Sequence, residues 1–109
     1  GGLSLVGYQA EKMVGGFRVD MAICSCKGID GENGVTDSNE RDSEIKKAFF
    51  ASATRKVLAV DSSKFDKVSF VKVCGIGDVD TVVTDCDPGE KWKEYLEKVN
   101  TSLVFDREI

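Results

Sequence analysis

The chain has 109 residues, a length that fits one small domain with a single hydrophobic core. Hydrophobic residues make up 41% and charged residues 31%, proportions that predict a folded globular domain and exclude a disordered or fibrous chain. The net charge of -4 offers no overall positive field for DNA phosphates, and the absence of His removes the commonest general base and metal ligand. We therefore expect no metal, no cofactor and no direct DNA binding by this chain.

The first residues of the chain and its cysteines indicate where in the cell the protein is found. The opening residues Gly1-Gly2-Leu3-Ser4 carry neither an initiator Met nor a basic signal region, and no apolar run approaches the roughly 20 residues that span a bilayer. We expect no membrane partner and a chain that is a fragment of a longer protein. Cys24 and Cys26 lie in a strand-like run, where both sulfurs face one side and are poorly placed for a mutual bridge. Buried, reduced thiols predict a cytoplasmic protein.

In the first half of the chain, the spacing predicts two helices around one strand. The first helix has one apolar face, formed by Val6, Ala10, Met13 and Val14. A strand follows from Val19 to Cys26, and three glycines predict an irregular loop from Lys27 to Gly34. The second helix is predicted from about Asn39 to Arg55, with Asp37 or Ser38 as its cap. Its inward side chains are Ile45, Ala48, Phe49, Ser52 and Ala53.

The second half is predicted to alternate strands with one further helix. The run Lys56 to Val60 lacks polar alternation and reads as a strand covered on both faces. The later predicted strands are Val68 to Val73, which is either a strand or an irregular edge, Val79 to Thr84, and Ser102 to Phe105. A helix is predicted after Asp87 as N-cap and Pro88 at the first helical position, with Trp92, Tyr95, Leu96 and Val99 inward.

This alternation predicts an α/β fold with a mostly parallel sheet and helices on both faces. Ligands of such folds usually bind beyond the carboxyl ends of the strands. Three places qualify: the Gly28 to Gly34 loop, the turn Asp61-Ser62-Ser63-Lys64, and the strand end Thr84-Asp85.

The turn from Asp61 to Lys64 presents a carboxylate, two hydroxyls and an ammonium directly after a buried strand. A sugar phosphate requires such a mixture, with a cation for the phosphate and acceptors for the hydroxyls. A helix cap and a turn with a solvated Lys would have the same composition. From the residues alone, both interpretations stay open.

Several strings together resemble the effector-binding domain of DeoR-family transcriptional repressors. The most specific are Val60-Asp61-Ser62-Ser63-Lys64-Phe65 and the run from Gly77 to Asp85. In the same order come Val6-Gly7, Asp20 before a strand, Gly28-Ile29-Asp30, Gly34-Val35-Thr36 and the segment from Asp42 to Lys46. Asp42 stands where the family usually has Glu, so the side chain that carries this carboxylate is shorter by one methylene.

The resemblance implies a sugar-phosphate isomerase and CoA-transferase-like fold, and a domain that senses a phosphorylated sugar. It implies that residues 1–109 form most of one sensor domain, while the first part of that domain and an N-terminal helix-turn-helix module lie outside this sequence. Operator DNA would be bound only through that module, and the protein would be a homo-oligomer. The implied effector residues are Asp61 and Lys64, supported by Asp30, Lys46 and Asp42.

Two other functions remain alternatives. A sugar-phosphate isomerase or deaminase of the same fold would need only carboxylates to move a proton between adjacent carbons. The strings around Asp61 and Asp85 resemble those of the repressors rather than those of the enzymes, so we expect a protein that is not an enzyme.

A domain used purely for assembly is the other alternative, and Phe50, opposite the inward face of its helix, is the candidate subunit contact.

Overall fold

The computed structural model describes residues 18–106. The strands are β1 (Val19–Cys24), β2 (Gly28–Asp30), β3 (Gly34–Asp37), β4 (Ala53–Ala59), β5 (Val71–Cys74), β6 (Thr81–Thr84) and β7 (Ser102–Phe105). The helices are α1 (Glu40–Ser52) and α2 (Glu90–Lys98), and short 3-10 turns cover Ser62–Lys64 and Ile76–Asp78. The predicted first helix, with Val6 to Val14, lies outside the described residues.

The main sheet contains four parallel strands in the order β1-β4-β6-β7. Along one row of the sheet, Cys24 pairs with Leu58, Leu58 with Val82 and Val82 with Leu103. Leu58 and Val82 are completely buried, as expected for strands at the centre of a parallel sheet. The predicted α/β class with a mostly parallel sheet is confirmed.

A second, smaller sheet has the order β2-β3-β5 and is antiparallel. The prediction of an irregular loop from Lys27 to Gly34 is wrong, because β2 and β3 form a hairpin there. The Asp30 carboxylate accepts hydrogen bonds from the amides of Glu32 and Asn33 at 3.1 and 2.9 Å, and Gly34 closes the turn with a φ of 75°. Glycines therefore permit this turn rather than prevent regular structure.

Helix α1 is shorter than predicted, because it ends at Ser52 and not near Arg55. The chain passes directly into β4 at Ala53, where Arg55 pairs with Met21 of β1, so strand pairing overrides helical periodicity. The N-cap of α1 is Asn39, whose side-chain oxygen accepts a hydrogen bond from the Asp42 amide at 2.8 Å. The predicted caps, Asp37 and Ser38, both lie too early in the chain.

Burial along α1 corrects one further expectation. Ile45 and Phe49 are buried as predicted, but Phe50 is only 5% exposed. Phe50 is therefore part of the core and is not available as a subunit contact.

The boundaries of four strands also differ from the prediction. The first strand ends at Cys24 instead of Cys26, since the following residues turn into the small sheet, where the Lys27 amide donates to the Thr36 carbonyl at 3.0 Å. Strand β4 begins at Ala53 and strand β6 at Thr81, because pairing with neighbouring strands sets where they start. In the stretch predicted as a strand or an irregular edge, β5 begins at Val71 and forms one edge of the small sheet.

The last helix has the predicted face but a different start. Trp92 and Leu96 are buried, whereas the cap is Gly89, with a φ of 100°, and not Asp87. The Asp87 carboxylate instead accepts from the Gly89 amide at 2.8 Å, before the helix begins. The final strand, Ser102–Phe105, is confirmed with its predicted bounds.

All four thiols are free, and Cys24 and Cys26 are each 3% exposed. Within residues 18–106, no helix has the length and apolar character that crossing a membrane requires. The same residues contain no group of three or more His, Cys, Asp or Glu side chains arranged to hold a metal ion.

We predict that Gly28→Ala destabilises the domain, whereas Gly77→Ala does not. A Cβ at Gly28 would lie 2.4 Å from the backbone carbonyl oxygen of Lys67, while a Cβ at Gly77 would have its nearest neighbour at 3.6 Å. The clash should lower the free energy of unfolding by about 2 kcal/mol, and Gly77→Ala should change it by less than about 0.5 kcal/mol. Urea unfolding of both variants measures this, and equal midpoints would contradict the close packing of β2 against the chain at Lys67.

Candidate ligand-binding site

The carboxyl ends of β1, β4 and β6 border one open pocket of about 500 Å³. Parallel pairing brings these strand ends to the same edge of the main sheet, which is where ligands bind in open α/β folds. The polar residues that line the pocket are Ser25, Cys26, Lys27, Asp61, Lys64, Thr84 and Asp85.

Asp61 and Lys64 enter the pocket together on one tight turn. Asp61 caps the 3-10 turn Ser62–Lys64, and its Oδ1 accepts from the Ser63 amide at 2.9 Å and from the Ser63 hydroxyl. The Lys64 Nζ lies 3.9 Å from Asp61 Oδ2. These contacts lower the pKa of Asp61, first through the Ser63 hydroxyl, then through the Ser63 amide, and to a smaller extent through the Lys64 ammonium. The turn therefore holds an ionised carboxylate beside an ammonium.

Asp85 lies in the same pocket and connects β6 to this turn. Its Oδ1 accepts from the Ser62 amide at 2.7 Å and from the Thr84 hydroxyl at 3.2 Å. The pKa of Asp85 is lowered mainly by the Ser62 amide, while the nearby Asp61 carboxylate acts in the opposite direction. The sequence analysis named Thr84-Asp85 as one of three possible ligand-binding places but did not include Asp85 among the effector residues. Its contact with Ser62 joins residues 23 positions apart, which no local pattern indicates.

Lys46 is held in an ion pair that the sequence analysis missed. Its Nζ contacts Asp37 Oδ2, and the Asp37 side chain is only 1% exposed. The positive charges of Lys46 and Lys64 both act to lower the pKa of Cys26, which lines the pocket. Burial nevertheless dominates and raises the pKa of Cys26 to about 11, so the group stays a neutral thiol at pH 7.

Asp30 lies at a different cavity. Its carboxylate closes the β2–β3 turn and lines a cavity of about 310 Å³, together with Asp66, Lys91, Trp92 and Tyr95. Within that cavity the Trp92 Nε1 donates to Asp66 Oδ1 at 3.2 Å, and the Tyr95 hydroxyl donates to the Gly31 carbonyl at 3.1 Å. The residues that line this cavity do not include any that line the strand-end pocket.

Asp42 lies in the first turn of α1, where it forms a reciprocal cap with Asn39. The Asn39 Nδ2 donates to Asp42 Oδ2 at 3.1 Å, and the Asp42 amide donates to Asn39 Oδ1. Of the five predicted effector residues, the structure thus brings Asp61 and Lys64 into one pocket, while Lys46 pairs with Asp37. Asp30 lines the second cavity, and Asp42 caps a helix.

Comparison with known proteins assigns the family. The model of the family described as "DeoR C terminal sensor domain" matches residues 2–86, which is well over half of the chain. The chain belongs to the DeoR C-terminal sensor domain family. The resemblance stated from the sequence is therefore confirmed.

Relatives of this sensor domain are transcriptional regulators. It is 35% identical over 104 residues to the HTH-type transcriptional regulator YulB of Bacillus subtilis, covering 94% of this chain and 40% of that protein. It is 26% identical over 99 residues to the L-fucose operon activator of Haemophilus influenzae, covering 91% and 40%. It is 28% identical over 95 residues to the deoxyribose operon repressor of Escherichia coli K12, covering 87% and 38%. The sensor domain chain thus spans about 40% of the length of the curated relatives it matches.

For the sensor domain we predict that Asp85→Ala lowers stability at pH 7 and that the loss disappears in acid. The lowered folded-state pKa of Asp85 means that its contribution is present above the ordinary value of 3.8 and is lost as the pH falls through the folded-state value. The difference in urea midpoint between wild type and Asp85→Ala should therefore shrink below pH 3.8. A difference that stays constant down to the acid transition would show that the Ser62–Asp85 contact does not stabilise the turn.

Proposed function

We propose that this domain binds a phosphorylated sugar in the strand-end pocket and controls DNA binding by a module outside the sequence. The observation that carries the proposal is the meeting of Asp61, Lys64 and Asp85 in one pocket at the carboxyl edge of the sheet. The family assignment supports a ligand-sensing role.

The pocket offers two kinds of charged group that suit the two parts of a sugar phosphate. The ammonium groups of Lys64 and Lys27 line the pocket and would face the phosphate. The carboxylates of Asp61 and Asp85 would accept hydrogen bonds from sugar hydroxyls, because each is ionised and has a second oxygen besides the Oδ1 that holds the turn.

The names of several relatives support this ligand class. They include an L-fucose operon activator, a glycerol-3-phosphate regulon repressor and a deoxyribose operon repressor. The named compounds are sugars or a polyol phosphate. A pocket that holds both ammonium groups and hydroxyl acceptors suits phosphorylated forms of such compounds.

We propose that the domain is not an enzyme. A general base that works near pH 7 needs a raised carboxyl pKa, whereas Asp61 and Asp85 both have lowered values. Fully ionised carboxylates of this kind are weak bases but good hydrogen-bond acceptors. The relatives named above are transcriptional regulators and not enzymes by name, which supports the same conclusion.

The remaining parts of the proposal concern the whole protein. We propose that residues 1–109 are most of one sensor domain in a cytoplasmic, homo-oligomeric regulator whose operator DNA is bound by a separate helix-turn-helix module. The free thiols support a reducing compartment. The net charge of -4 supports DNA binding elsewhere than on this chain.

Calorimetric titration of the chain with deoxyribose 5-phosphate, glycerol 3-phosphate and a phosphorylated hexose tests the proposal. We predict that Lys64→Ala weakens binding of the tightest ligand about tenfold to a hundredfold, which is the range for a charge-assisted hydrogen bond. Asp61→Asn should change the preference among sugars that share a phosphate. Lys64 is partly exposed and its pair with Asp61 is 3.9 Å apart, so Lys64→Ala should keep the melting temperature of the wild type.

Lys91→Ala is the matched control, because Lys91 lines the second cavity and not the strand-end pocket. It should bind every phosphorylated sugar as the wild type does. Wild-type affinities in both Lys64→Ala and Asp61→Asn would contradict the proposal, as would unfolding of Lys64→Ala.

A further inference from the structure

The second cavity, of about 310 Å³, is formed by three separate parts of the chain. They are the β2–β3 turn at residues 30–32, Asp66, and helix α2 with Lys91, Trp92 and Tyr95. A volume of this size lies at the lower end of the range for small-molecule pockets. The cavity therefore has room for a small molecule.

Hydrogen bonds hold the walls of this cavity in place. Trp92 Nε1 donates to Asp66 Oδ1 at 3.2 Å, and the Tyr95 hydroxyl donates to the Gly31 carbonyl at 3.1 Å. The two rings lie 5.6 Å apart between centroids, and the Phe65 ring supports Trp92 at 5.0 Å. Because these contacts already fix the cavity walls, a ligand would not have to order them.

The charges around the cavity are unbalanced. Three carboxylates line it, those of Asp30, Glu32 and Asp66, against one ammonium, that of Lys91. None of these four groups forms an ion pair within residues 18–106. The pKa of Asp30 is lowered, first by the Asn33 amide and then by the Asn33 side chain, so this carboxylate is charged at pH 7. The like charges repel one another, and a bound cation would relieve that repulsion.

The free side-chain atoms of the cavity are mostly hydrogen-bond acceptors. The Trp92 indole N–H and the Tyr95 hydroxyl are already donated to protein oxygens. By contrast, Asp30 Oδ1, Asp66 Oδ2 and both carboxylate oxygens of Glu32 accept no hydrogen bond in the described part of the chain. A phosphate needs donors and a sugar hydroxyl both donates and accepts, whereas an ammonium group only donates. The cavity thus matches a ligand that donates.

We propose that the second cavity binds a small organic cation, a primary ammonium group on a short apolar chain. The ammonium would donate to the carboxylates of Asp66 and Glu32, and the adjacent methylene groups would lie against Trp92 and Tyr95. Aromatic rings attract cations through their negative π faces, so the same walls suit the charge and its apolar chain. The second cavity shares no lining residue with the strand-end pocket, so this proposal and the sugar-phosphate proposal can fail separately.

Trp92 is the only Trp of the chain, so its fluorescence reports on this cavity. We expect a saturable change when butylammonium is added at about 20 mM salt, where screening is weak, with a dissociation constant of about 1 mM. Butanol and butyl phosphate have the same chain without charge or with negative charge, and neither should give a saturable change. Equal midpoints for butanol and butylammonium, or no saturable change with butylammonium, would overturn the proposal.

Asp66→Asn and Glu32→Gln test the two carboxylates. Asn keeps an oxygen that can accept from the Trp92 indole and tolerates the φ of 62° at this position, so Asp66→Asn should keep the fold. We expect Asp66→Asn to weaken butylammonium binding about tenfold and Glu32→Gln to weaken it about threefold. Glu94→Gln is the matched control, because Glu94 is exposed on α2, does not line the cavity and loses the same charge. It should bind butylammonium as the wild type does.

Lys91→Ala gives a readout of opposite sign. Removing the one competing ammonium should tighten butylammonium binding about threefold. Unchanged affinity in Asp66→Asn, Glu32→Gln and Lys91→Ala together would show that the cation binds elsewhere and would overturn the site.

A second probe distinguishes two sources of the cation. N-acetyl-lysine methylamide carries the same ammonium chain on a peptide unit. Tighter binding of this compound than of butylammonium would assign the cation to a lysine side chain of a protein partner, and weaker binding would assign it to a free amine. Either result supports the cavity as a cation site, whereas binding of neither compound would refute it.

Discussion

Parallel pairing of β1, β4 and β6 is the constraint on which the candidate site depends. In a parallel sheet, all carboxyl ends lie at one edge, so residues that follow three separate strands must meet there. Completely buried Leu58 and Val82 fix the register of the central strands, because a slip of one residue would turn them to the other face. The core thus positions the pocket, and two residues of the core, Cys26 and Val60, also line it.

Within that pocket, one hydrogen bond fixes the position of the Asp61 turn relative to the end of β6. The Ser62 amide and Asp85 Oδ1, 2.7 Å apart, join the turn after β4 to the end of β6. Asp85 therefore anchors the turn, and under the proposed function its second carboxylate oxygen would also face the ligand. The Asp61–Lys64 pair is 3.9 Å apart and largely solvated, so we expect it to open for a phosphate at little cost. A fixed backbone with adaptable side chains suits a sensor that must respond to ligand binding.

The sequence predicted periodic and buried elements well and long-range polar contacts poorly. The last strand and the buried face of α2 follow from apolar spacing alone. The β2–β3 hairpin was missed because its turn depends on Asp30 accepting amides, and the Asn39 cap was missed because neighbouring residues are equally suited by type. Asp37 contacts Lys46, 9 residues away, and Asp85 contacts Ser62, 23 residues away. No local sequence pattern indicates contacts over such separations.

Amide chemical shifts of the isotopically labelled chain, recorded while a phosphorylated sugar is added, test the central claim most directly. The account predicts the largest changes at the three strand ends: residues 25–27, 61–64 and 84–85. It predicts small changes around Asp30 and Trp92, which line the second cavity. Changes concentrated at the second cavity, or no saturable change at any strand end with any phosphorylated sugar, would contradict it.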